Sequence, residues 1–83
     1  MKFAWSKHSL EQLERRGISA SLVENVLKDP DQVITEGSQT IYQAVIEEQK
    51  KSYLVRIFVN SDKNPPLIIT ACKTSKIGKY YEG

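Results

Sequence analysis

The chain has 83 residues, 40% of them hydrophobic and 27% charged; this excludes a disordered segment and points to one domain, residues 1–83, with a thin core. Its formal net charge of +2 is unevenly spread: residues 1–49 carry five Lys and Arg against eight Asp and Glu, residues 50–83 seven against two. A basic C-terminal half suits a nucleic-acid face or an acidic protein partner, and a solvated surface produces the same asymmetry.

Met1–Trp5 reads as a short edge strand. Next comes a helix with both ends marked: Ser6 as N-cap, Gly17 as the left-handed residue past its end, and Ser19 as the cap of a second helix directly behind. On a helical wheel Leu10, Leu13 and Gly17 share one side of the first helix, and His8, Gln12 and Arg15 form a polar stripe on the other. The second helix spans about Ser19–Lys28, buries Leu22, Val23, Val26 and Leu27, and ends at Asp29-Pro30. Gln32-Val33-Ile34 is extended, and Glu36-Gly37-Ser38 turns the chain into three apolar runs, Thr40–Glu47, Tyr53–Asn60 and Leu67–Thr74, each of strand length and composition. Glu48–Lys51 and Ser61–Pro66 are the loops between them. The fold class is therefore α+β: two N-terminal helices packed on a twisted antiparallel sheet of three to four strands.

Pairing Glu47 with Ser52 sets Val45 against Leu54 and Gln43 against Arg56, because opposed residues in an antiparallel pair keep a constant index sum. The same rule at the second loop sets Arg56 near Ala71 and Leu54 near Lys73. Tyr42, Ala44, Ile46, Val55, Ile57 and Val59 then share the apolar, helix-covered face, whereas Gln43, Arg56 and Lys73 lie together on the other.

One histidine, His8, and one cysteine, Cys72, rule out an internal disulfide and a thiolate-rich metal site. No metal or cofactor is expected, and Cys72, inside an apolar run, reads as a small buried hydrophobe. The chain shows no signal-peptide run and no stretch near the ~20 apolar residues of a membrane span, so the expected setting is cytoplasmic and away from membranes.

Trp5-Ser6-Lys7-His8, Arg16-Gly17-Ile18-Ser19, the helix end Leu27–Pro30, Tyr53-Leu54-Val55-Arg56 and Ile69–Lys76 together resemble a small prokaryotic domain-of-unknown-function family grouped with RelE/ParE/BrnT-type toxins. The likeness covers nearly the whole chain. It implies a RelE-like domain, a metal-independent endoribonuclease acting on messenger RNA, and a cognate antitoxin that holds it inactive. The chain departs from the family pattern at Ser9, Gln12 and Cys72, where relatives often carry Ala, Arg and an aromatic residue.

Metal-free RNA cleavage needs a base, an acid and cations for the charge that builds on phosphorus. His8 is the candidate for proton transfer; it can equally cap its helix or pack against Trp5. Arg56 can fork onto two phosphate oxygens and Lys73 can add a point contact, or either can pair with a carboxylate on the surface. Gln12, Arg15, Gln43, Lys76, Lys79 and Tyr80 are the candidate RNA contacts, with the mixture of cations and rings in residues 73–81 suited to phosphate and unpaired bases. In the alternative reading Ile77, Tyr80 and Tyr81 close over the sheet and the lysines face water. Two further functions stand beside the nuclease: a non-catalytic module of a toxin–antitoxin-like pair, binding protein along the basic face or a sheet edge, and structural association through an exposed strand.

Overall fold

The structure, a computed structural model, describes residues 3–80, with the Tyr80 side chain outside the described part. Its elements in chain order are β1 (Ala4–Trp5), α1 (Lys7–Arg15), α2 (Ala20–Lys28), β2 (Gln32–Glu36), β3 (Gln39–Glu48), β4 (Lys51–Asn60), β5 (Leu67–Thr74) and α3 (Ile77–Tyr80).

Local chemistry explains the helix boundaries. Ser6 accepts the Ser9 N–H at 3.0 Å and Ser19 the Leu22 N–H at 3.1 Å, so each helix start has a hydroxyl satisfying an orphan donor. At the end of α1, Gly17 takes φ +68°. The Gly17 N–H donates to Glu14 O at 3.3 Å and the Ile18 N–H to Leu13 O at 3.0 Å. This is a Schellman closure, and its usual apolar contact is supplied by Leu13 and Ile18, both in the core cluster. The buried side of α1 differs from the wheel reading. Leu10 is 45% exposed, and Ser9 takes its place inward, its hydroxyl donating to Ser6 O at 2.7 Å. A small, self-satisfied side chain allows α1 to approach closely where Leu would not.

The sheet has five strands in the order β1-β5-β4-β3-β2 and is mixed. β1 runs parallel to β5 through Ala4↔Leu67 and Trp5↔Ile68, and the other pairs are antiparallel. It is larger than the expected three to four antiparallel strands, because both short extended segments join as edges. Nor are the helices simply N-terminal: α1 and α2 lie between β1 and β2, which are the two opposite edges of the sheet, and α3 follows β5. One face carries Ala44, Val55, Ile57, Val59, Ile68 and Ala71, which pack with Leu13, Ile18, Val23 and Val26 in a single core.

The β3–β4 register has Glu47↔Ser52, Val45↔Leu54 and Gln43↔Arg56, as the index sum requires. In the β4–β5 pair the expected sum holds at Asn60↔Leu67 and Val59↔Ile68, then breaks at a bulge where Phe58 pairs with Thr70 and Ile69 is left over. Beyond it Arg56 opposes Cys72 and Val55 opposes Lys73. One extra residue moves every later β5 side chain to the other face.

Candidate functional site

The bulge separates the cations on which phosphate binding depended. Arg56 projects from the face of Gln43, Phe58 and Cys72, whereas Lys73 projects from the helix-covered face beside Val55, so they leave opposite sides of the sheet and cannot grip one anion. Each has other contacts. The Arg56 guanidinium stacks over the Phe58 ring at 5.2 Å and its Nε donates to Gln43 Oε1 at 3.1 Å. Lys73 Nζ reaches Glu48 Oε2 at 3.2 Å and sits 5.2 Å from the Tyr53 ring centre. Gln43, expected at the less covered face and in contact with RNA, is fully buried. Its amide donates to Gln32 Oε1, which makes Gln32, Gln43 and Arg56 a hydrogen-bonded row across three strands.

On α1 the polar stripe splits. Thr70 Oγ1 donates to Gln12 Oε1 at 2.6 Å, which turns the amide nitrogen of Gln12 toward His8 Nε2, 2.9 Å away. His8 therefore accepts at Nε2 and is neither a cap nor packed on Trp5 through that atom. Arg16 donates from Nη1 to Ala71 O at 2.7 Å. Beyond β1, then, the outer side of β5 is held by α1. Arg15, Lys76 and Lys79 are exposed, on α1, in the turn after β5 and on α3 respectively. The expected RNA contact through Tyr80, and Tyr81 with it, falls outside the described residues.

The opposite side of the sheet is built differently. β3 has ten residues and β2 five, with pairing that ends at Gln32↔Gln43, so Ala44–Glu48 continue past their outer neighbour. The Asp31 N–H donates to Gln43 O at 3.0 Å, and Asp31 Oδ2 accepts the Val45 N–H at 2.9 Å. Gln43 and Val45 thus present their main-chain groups to the β2 side. By alternation Glu47 does the same, while Ala44 and Ile46 bond toward β4. Alongside this stretch runs an open groove of about 730 Å³ between Leu22, Asn25 and Val26 of α2 and Ala44, Val45 and Ile46 of β3, with Lys28, Asp29 and Asp31 at one end. The other flank of α2 borders a second hollow of about 620 Å³ lined by Phe3, Trp5, Leu27, Tyr42 and Ile68. The first groove places apolar side chains next to a stretch of β3 that no strand among the described residues pairs on its β2 side. Asp31, Val45 and Glu47 were not singled out in the sequence. The available signal was the unequal length of the extended run before Gly37 and the one after it.

The molecule is thus a small α+β domain whose mixed sheet is shielded by a helix along one edge and open beside a groove along the other. The chain belongs to the DUF4258 family, a domain of unknown function, whose family model matches residues 5–77. No curated protein matches the chain, and no solved structure does. Among the described residues no helix is long and apolar enough to cross a membrane, and no group of three or more His, Cys, Asp and Glu is placed to hold a metal ion.

Proposed function

We propose that this domain is a non-catalytic protein-binding module, the folded half of a two-chain pair, and that it takes an extended segment of its partner as an added strand along Ala44–Glu48. The observation that carries this reading is the overhang of β3 beyond β2 beside the α2 groove. Strand addition draws its affinity from main-chain hydrogen bonds and its selectivity from alternate side chains entering a flanking groove, and both parts are present here. A toxin–antitoxin-like pair, the setting implied by the resemblance to RelE/ParE/BrnT-type toxins, is where such a module works, with an antitoxin-like chain as the partner. The rival reading, a metal-independent endoribonuclease acting on messenger RNA, free or on the ribosome, asks for two cations at one phosphate. Arg56 and Lys73 face opposite ways, and His8 has Nε2 engaged by Gln12, so this reading keeps one proton carrier and loses its clamp.

The test is selection of binding peptides from a displayed library on the wild-type protein and on Val45→Pro. Proline at position 45 deletes an N–H that points away from β4, so the β3–β4 ladder survives while an added strand loses a donor and meets the ring. Peptides that shift the amide signals of Val45 and Glu47 and lose affinity for Val45→Pro are the expected result. Peptides that bind both proteins equally would overturn it. The same preparation is expected to leave unstructured RNA intact; cleavage that disappears in Arg56→Ala with the fold retained would restore the nuclease.

A further inference from the structure

The rim of the groove carries more than an apolar invitation. Asp29 and Asp31 stand at its mouth and Glu47 lies on the open strand itself, all exposed, and none of them forms a salt bridge among the described residues, where the ion pair present joins Glu48 to Lys73. Lys28 is the single cation in the lining. Asp31 is also the group that holds the Val45 N–H, the position an incoming strand's carbonyl would take. Resting on the strand-acceptor reading, we infer that the partner segment alternates basic and apolar residues, and that it binds by displacing the Asp31 carboxylate from Val45.

The pattern follows from the pleat. Directly opposed residues share a face, so partner residues opposite Ala44 and Ile46 enter the groove against Leu22 and Val26, and those opposite Val45 and Glu47 point away from α2. The first set is apolar by contact. The second faces Glu47 and the carboxylate that Asp31 releases, and a cation there restores by ion pairing what Asp31 loses at the Val45 amide. An acidic segment would set like charges opposite one another on the same rim.

Two blocked hexapeptides test this, one alternating valine with lysine and the other valine with glutamate, each titrated into labelled protein while the Val45 and Glu47 amides are followed by NMR. The lysine peptide is expected to move both amides, to bind about fivefold or more tightly than the glutamate peptide, and to weaken as salt is added. Asp31→Asn keeps an acceptor for Val45 and removes the charge, and is expected to narrow the difference about two- to fivefold. Equal binding of the two peptides at Val45 and Glu47 overturns the basic preference and leaves the strand acceptor standing. No movement of either amide with either peptide overturns both. Shifts that track protein concentration without peptide would make a second copy of the chain the occupant and overturn the inference.

Discussion

The two sides of this sheet face the same physical problem with different outcomes. On one side β5 runs on past the two residues of β1, and α1 lies against it: Arg16 holds the main-chain Ala71 O and Gln12 accepts from the Thr70 hydroxyl. On the other side β3 runs on past β2: Asp31 caps the Val45 N–H, and by alternation the Glu47 main-chain groups face the β2 side, where no strand among the described residues pairs with them. Unpaired strand edges invite pairing with other chains, and folded proteins blunt them with helices, charges or bulges. This chain uses a helix and a bulge at β5. At β3 it uses the Asp31 carboxylate, and this contrast supports the strand-acceptor proposal.

The comparison breaks most visibly if α1 is loosened. Leu13, 3% exposed, anchors α1 in the core, and Leu13→Ala is expected to lower stability by about 3 kcal/mol in urea denaturation. Amide exchange should then quicken in residues 69–74 of β5, whereas Glu47, on the far edge of the sheet, should exchange at its former rate. A loss under about 1 kcal/mol would mean that α1 does not shield the edge through this contact. Next in size, Arg16→Ala removes the donor to Ala71 O and is expected to cost about 1 kcal/mol. Val45→Pro, made at the other edge, removes the N–H that Asp31 accepts and should cost a similar ~1 kcal/mol in the same denaturation series, with the β3–β4 ladder intact. The hairpin that carries the open edge offers a gain in place of a loss. Gln49 and Lys50 turn it at φ +50° and +67°, a conformation that favours Asn followed by Gly, so Gln49→Asn with Lys50→Gly should add about 0.5–1 kcal/mol to the unfolding free energy. The smallest effect tests the divided cations. A double-mutant cycle of Arg56→Ala and Lys73→Ala should return a coupling energy under about 0.5 kcal/mol, and a larger value would mean that they share an environment after all.

What could be read from the residues alone was whatever depends on near neighbours. Ser6, Gly17 and Ser19 mark the helix ends by their own chemistry, and the tight Gln49-Lys50 turn fixes the β3–β4 register for ten residue pairs. The β4–β5 register starts as expected and fails at Ile69, because Leu67-Ile68-Ile69 is apolar throughout and alternation there gives no hint of an extra residue. That one residue decides which face Lys73 takes, and with it the candidate site. Gln43 failed for another reason. A glutamine in a strand reads as solvent-facing until its neighbours across the sheet are known, and here Gln32 and Arg56 satisfy it in the interior. Gln12 was legible on the polar stripe of a short helix and Arg16 within the Arg16–Ser19 motif, but their contacts with Thr70 and Ala71 lie more than fifty positions along the chain.

The overhang of β3 is five residues long, or roughly 17 Å of extended chain at about 3.3 Å per residue. A segment that short shows two or three side chains to each side, too few to single out one sequence among the many a cell contains. Recognition through this slot alone would be permissive, and fidelity would have to come from a second, simultaneous grip elsewhere on the same visitor, joined by a tether whose reach sets the effective concentration.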